Sequence, residues 1–191
     1  MDCAAVRSEG VIDSQTLPGR SQAPSGWDRF EALYRSSRDD VFAYVTTLLD
    51  DRAAAEDVTA LAFERAYRRR RTFDRRRGEE RAWLFGIARN AALDELRRRR
   101  RTAALVTDHE DPGAEPTAVE DGAEVALRRT TVMQALRGLP AREREVVALK
   151  FHAGLTNTEL AGILGISESA AGTLLYRTME KLRKACDASD R

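Results

Sequence analysis

A 23-residue stretch in the middle of the chain, "TAALVTDHEDPGAEPTAVEDGAE" (residues 102–124), carries two prolines, two glycines, seven acids and no Lys or Arg. It has no helical stripe, whereas the stretches from Trp27 up to it and from Val125 onward largely do. A segment of this composition cannot bury enough apolar surface to order itself, so it reads as a flexible acidic linker. It divides the chain into two modules that must each build their own core. Fully extended, it spans roughly 75–80 Å, more than two turns of DNA, about 70 Å.

Both modules read as helical. Ala, Leu, Arg and Glu dominate, all good helix formers, and runs of strand-forming residues are missing. From Trp27 onward, Phe30, Leu33, Tyr34, Val41, Tyr44, Val45 and Leu48 recur at steps of three, four or seven. Asp50 and Asp51 mark a turn. A second helix runs from about Ala53 to Arg70, with Val58, Leu61, Ala62 and Ala66 inward. "TFDRRRGEE" (72–80) is aperiodic and broken by Gly78, and a third helix follows from Arg81. Beyond the linker, Val125, Val132, Met133 and Leu136 fit one helix, and Pro140 stands at a first-turn position of the next. The expected fold is all-α: an N-terminal disordered tail (1–26), a helical domain (27–101), the linker (102–124) and a second helical domain (125–186).

Charge is distributed unevenly. The formal net charge is only +1, yet residues 64–101 hold 15 arginines against 6 acids, and residues 136–186 hold 8 basic against 5 acidic groups. Two basic blocks flanking an acidic segment suggest a polyanion touched at two places. No apolar run approaches the roughly 18–20 residues that span a bilayer. Cys3 and Cys186 read as free thiols, and His109 and His152 have no ligands at metal-binding spacing, so no metal or cofactor is expected. No nucleophile–base pair or phosphate-binding glycine loop argues for an enzyme. A cytoplasmic protein is expected.

The most specific local pattern is "TNTELAGILGISESAAGTLLYRTMEKLRKA" (156–185). Thr156 and Glu159 make a T-x-x-E capping box. Leu160, Ala161 and Leu164 face inward, Gly165 supplies the positive φ of a tight turn, Ile166 plugs it, and Ser167 caps the next helix. Ala171, Leu174, Leu175 and Leu182 supply that helix's buried side. These offsets are those of a helix-turn-helix, whose second helix begins in the major groove. The exposed positions there are Ser167, Glu168, Ser169, Gly172, Thr173 and Tyr176, with Arg177 and Lys181 further along. The face is nearly uncharged, so this module alone is expected to bind DNA modestly.

On the helix "RAWLFGIARNAALDELRRRRR" (81–101), Leu84, Ile87, Ala88, Ala91 and Ala92 form the apolar face. Trp83, Asn90, Arg97 and Arg101 fall within about 40° of one another at 3.6 residues per turn. Trp83 taken alone reads more readily as a core or boundary residue. Beside asparagine and arginine on one flank, it offers a stacking surface for an unpaired base, an amide for a base edge and cations for phosphate.

Three stretches, "FEALYRSSRDDVFAYVTTLLDDRAAAEDVTALAFERAYR", "RAWLFGIARNAALDELRRRRR" and "LPAREREVVALKFHAGLTNTELAGILGIS", resemble successive conserved regions of bacterial sigma-70 family sigma factors of the extracytoplasmic-function (group 4) type. The resemblance implies a promoter-specificity subunit of RNA polymerase. The helix around residues 55–67 would dock on core polymerase through Asp57, Phe63 and Arg65. The loop 72–80, with Phe73, and the following helix, with Trp83, Asn90, Arg97, Arg98 and Arg101, would capture the non-template strand of the −10 element. The helix-turn-helix would read the −35 element through Thr156, Ser167, Glu168, Ser169, Gly172, Thr173, Tyr176, Arg177 and Lys181. An anti-sigma factor is a further implied partner. The competing expectation is a stand-alone helix-turn-helix regulator binding duplex operators.

Overall fold

The computed structural model describes residues 26–105 and 123–189. The expected N-terminal tail and most of the expected linker lie outside the described residues. Seven α-helices account for these residues: α1 Gly26–Leu49, α2 Arg52–Arg69, α3 Glu80–Leu105, α4 Ala123–Arg137, α5 Ala141–Phe151, α6 Asn157–Leu164 and α7 Glu168–Ser189. Two 3-10 turns, Arg70–Thr72 and Arg75–Arg77, shape the segment between α2 and α3. No strand occurs among the described residues, and no helix there is long and apolar enough to cross a membrane.

Helices α1, α2 and α3 pack on one another as a first lobe, and α4 to α7 form a second. The first core takes Leu33, Val41, Tyr44, Val45 and Leu49 from α1, Ala55, Val58, Ala62, Phe63 and Ala66 from α2, and Leu84, Phe85, Ile87, Ala88, Ala91 and Ala92 from α3. Alanines at Ala55, Ala62, Ala66, Ala88 and Ala92 are wholly covered, which lets the helix axes approach closely. Bulk comes from the Tyr44–Phe85 pair, packed edge to face with centroids 5.5 Å apart. Of the expected inward residues, Phe30, Leu48 and Leu61 are only partly covered, and Tyr34 lies 39% exposed over Phe63. The α1–α2 turn is a tight one. Asp50 adopts φ 51°, and the Asp51 side chain caps α2 by accepting from the Ala54 amide at 3.0 Å.

Three boundaries differ from the sequence expectation. Helix α3 continues to Leu105 and α4 begins at Ala123, so both helices extend into the segment read as linker. Ala103, Ala104 and Leu105 are strong helix formers, and propagation from an existing helix is cheaper than nucleation. Pro140 sits one residue outside α5, as its N-cap, with its carbonyl accepting from the Glu143 and Arg144 amides.

In the second lobe, Leu139, Val146, Val147, Ala148, Leu149, Ala153, Leu155, Leu160, Ala161, Ala171 and Leu182 form the core. Lobe two touches lobe one through α5 against α1 and α6 against α3. That contact was not foreseen in the sequence.

Candidate nucleic-acid interface

The 3-10 segment before α3 is held by its own polar groups. Asp74 accepts from the Arg76 amide at 3.0 Å, Thr72 donates to the Arg69 carbonyl at 2.7 Å, and Gly78 takes φ 136°. This folds Phe73 back against Trp83, with ring centroids 5.4 Å apart and planes tilted by 47°. Both rings are half-buried, so each keeps part of its surface available to solvent. Two turns further on, Asn90 is exposed. Arg97 and Arg101 follow on the same flank of an unbroken helix, both exposed. The flank expected from helical spacing therefore exists as a continuous surface.

The arginine run is not uniform. Arg97 pairs with Asp94 at 3.2 Å and Arg98 with Glu95 at 2.7 Å, while both guanidiniums stay largely in water. Exposed pairs of this kind are weak and can exchange their carboxylate for a phosphate. Arg99 is turned inward: it reaches Glu95 at 2.9 Å and the α2 cap Asp51 at 2.8 Å, tying α3 to α2. Hydrogen bonding from Arg98, reinforced by Arg99, pulls the Glu95 carboxyl down to about 2. In the loop, Arg70 lies over the Tyr67 ring at 3.9 Å and donates to the Tyr67 carbonyl. Arg71, Arg75 and Arg76 are exposed.

On α2, Asp57 is exposed. Arg65 bonds Asp94 of α3 at 3.3 Å. Phe63 is only 5% exposed, beneath Tyr34 with centroids 4.8 Å apart. Unlike the polar Asp57 and Arg65, Phe63 packs: its ring is inside the lobe and sets the position of the helix.

The helix-turn-helix forms as its sequence dictates. Thr156 and Glu159 complete a reciprocal capping box, Gly165 ends α6 at φ 67°, ψ 39°, and the Ser167 hydroxyl accepts from the Ala170 amide at 3.2 Å. Ser167, Glu168, Ser169, Thr173, Tyr176 and Arg177 are exposed at and after the start of α7, Tyr176 to 70%. Thr156 is exposed, although its hydroxyl is occupied with Glu159. Two expected members are placed differently from the rest. Gly172 is half-buried, because it lies where α7 crosses α6: a Cβ there would stand 3.5 Å from the Asn157 amide nitrogen. Lys181 is exposed, and its ammonium pairs with Glu143 of α5.

Three functional-looking groups were not foreseen: Arg81, Arg89 and Glu145. Arg89 and Glu145 sit within apolar stretches, at positions where helical spacing places a neighbour of the core. A charge on a buried stripe was the available signal.

Two modules with this content, in this order, match known families. Residues 33–102 match the sigma-70 region 2 model, and residues 129–182 match sigma-70 region 4. The ECF RNA polymerase sigma factor SigL of Mycobacterium tuberculosis is 31% identical over 152 residues, covering 80% of this chain and 85% of SigL. The chain belongs to the ECF family of RNA polymerase sigma factors. The ECF sigma factor BldN of Streptomyces coelicolor is 33% identical over 169 residues, covering 88% of this chain, which spans 64% of BldN's length. Among solved structures, CnrH in complex with the cytosolic domain of CnrY has a TM-score of 0.59 and 27% identity, covering 83% of this chain and 88% of that one. The sigma factor RpoE in complex with the anti-sigma factor NepR from Bartonella quintana shares the fold, with a TM-score of 0.66 and 20% identity, covering 83% of this chain and 97% of that one. As a sigma factor the chain works with core RNA polymerase and promoter DNA in transcription initiation. The stand-alone regulator is not favoured, since both lobes match one sigma family in sequence order.

Proposed function

We propose that the first lobe of this ECF sigma factor captures the non-template strand of the −10 element, and that the second reads the −35 element as duplex. The carrying observation is the flank of α3: the Phe73–Trp83 pair, exposed Asn90 and exposed Arg97 and Arg101 on one continuous surface. Aromatic ring faces stack on unpaired bases, an amide hydrogen-bonds a base edge, and guanidiniums neutralise phosphate. Arg98 joins them from the adjoining face. Extruding a base takes a few kcal/mol, which binding along this whole flank and by polymerase must supply. In the second lobe, Ser167, Glu168, Ser169, Thr173, Tyr176 and Arg177 meet the major groove, with Thr156 at its edge. The face carries few cations, so much of the affinity comes from the first lobe and the polymerase. Helix α2 docks on the polymerase through Asp57 and Arg65. The chain then needs no catalytic group of its own and acts in the cytoplasm beside the polymerase. Its structural relatives solved with a partner bound support an anti-sigma type of partner for it as well.

The test is Asn90→Ala in transcription reconstituted with core polymerase. Promoters differing only in the −10 element should lose activity unequally, while polymerase binding survives. An equal loss on every promoter would remove the base-reading role of Asn90.

A further inference from the structure

The contact between the lobes is built around two arginines that face away from the DNA flank. Arg81 begins α3. Its Nε donates to the Ala153 carbonyl at 2.7 Å and its Nη2 to the His152 carbonyl at 2.8 Å. These carbonyls lie at and just beyond the end of α5, where backbone acceptors lack helical partners and the helix dipole is negative. The same guanidinium bonds Asp40 of α1 at 2.6 Å and the Ser37 hydroxyl at 3.1 Å. One side chain thus joins α1 and α3 of the first lobe to the end of α5 in the second.

Two turns along α3, Arg89 grips Glu145 of α5 with Nε–Oε1 2.6 Å and Nη2–Oε2 3.4 Å. Both side chains are largely covered, 21% and 9% exposed. No other ion pair among the described residues has both members so enclosed. The buried Tyr44 hydroxyl lies beside this pair, and burial, with Glu145 adding to it, holds its proton in place. Thr47 meets the His152 ring at 3.4 Å, and Arg137 meets Asp50 at 3.2 Å, at the margins.

This contact is incompatible with engaging a whole promoter. Elements centred 10 and 35 base pairs from the start site are about 85 Å apart at 34–36 Å per turn. A lobe of this size has a radius of gyration of about 11 Å, so touching lobes have centres only about 30 Å apart. Around α3, Arg81 lies about 160° from Trp83 and about 180° from Asn90, and Arg89 lies about 120° from Trp83 and about 100° from Asn90. Each lobe keeps its own DNA surface free while the pair cannot span both elements.

We propose that the Arg81 and Arg89–Glu145 contacts form an interlobe latch that holds the free chain closed and must open before both promoter elements are bound. Opening hydrates Glu145 and Arg89 together, so neither is left as an unpaired buried charge. In the closed state, removing one partner does leave such a charge, which is strongly unfavourable. Single substitutions therefore shift the chain to the open form, and exchanging the two charges restores closure.

The proposal rests on the promoter-binding reading, and its test separates the two. In a chain carrying Cys3→Ser and Cys186→Ser, Thr47→Cys and His152→Cys are joined by a short reducible bis-methanethiosulfonate linker. Reconstituted transcription from a promoter bearing both elements should fall about tenfold or more, as expected when the competent state is depopulated, and recover on reduction. Equal activity in linked and reduced chains overturns the latch. Inactivity of the reduced chain alongside an active parent locates the failure in the substitutions, and the second measurement then decides. That measurement is the interlobe distance between spin labels at Glu56→Cys and Lys184→Cys. The otherwise native chain should give one short distance, Arg89→Glu and Glu145→Arg singly should give longer ones, and the double exchange should return the short one. A native chain already open, or single variants that stay closed, overturns it. A chain that fails to initiate at any promoter while its distances behave as stated refutes the promoter reading and leaves the latch standing.

Discussion

Replacing Asp51 by Ala removes two things at once. The side chain caps α2, accepting from the Ala54 amide at 3.0 Å, and it receives Arg99 from α3 at 2.8 Å. Loss of an N-cap acceptor is worth about 1 kcal/mol. The ion pair is exposed to 33% and 41% on its two sides, so solvent screens it and it adds only about 0.5 kcal/mol. The sum, about 1.5 kcal/mol, lowers the midpoint by about 6–12 °C if the first lobe melts by itself, and by about 3–6 °C if the chain melts as one unit. Asp51→Asn keeps the cap acceptor and loses the charge, so it should recover about two-thirds of the deficit. Thermal melts of the full chain, followed by helical circular dichroism, measure both. A destabilisation by Asp51→Ala of under about 0.3 kcal/mol would be within the noise of surface substitutions and would refute the cap. Asp51→Asn as damaging as Asp51→Ala would show that charge, not capping, carries the site.

Gly165 and Gly172 should respond with opposite signs to Ala. At Gly165 a Cβ meets nothing within 4 Å but φ is 67°, so Gly165→Ala should destabilise by about 1 kcal/mol from backbone strain alone. At Gly172 the helix is regular and a Cβ makes an ordinary contact with Asn157, so Gly172→Ala should stabilise by up to about 1 kcal/mol; denaturant midpoints decide both. Glu95 is held at about 2 against the usual 4.5. A depressed carboxylate contributes stability in full above 4.5 and loses it as pH falls towards 2, so Glu95→Gln should flatten the acid limb of a stability–pH curve within that window. Seventeen residues lie between Leu105 and Ala123, with a reach of about 60 Å. Cutting them to about five should abolish transcription from promoters that need both elements, and full activity after the cut would mean the lobes need not separate.

Much of this molecule could be read in one dimension. The apolar stripe Leu84, Ile87, Ala88, Ala91 and Ala92 is buried as its spacing implies. The capping box at Thr156, the left-handed Gly165 and the Ser167 cap are all in place. Such features depend on residues no more than four apart, and the chain meets them wherever it folds. Phe63 was harder: an apolar residue on a docking helix suits either a surface contact or a core, and only the ring of Tyr34 above it settles the matter.

The sequence by itself determined the order of the helices, though not all of their ends, that there are two basic modules, and that one contains a helix-turn-helix. Which face of each lobe meets the other was decided only in three dimensions. Glu145 has fifteen arginines to choose from between residues 64 and 101, and nothing local distinguishes Arg89 from the rest. Only packing does so, by excluding water around one of them. The same holds within "RRRRR", where Arg99 became a strut between α2 and α3 while Arg101 stayed in solvent. Charge is a property of the residue, but what a charge is worth depends on its surroundings, and those are assembled from distant parts of the chain.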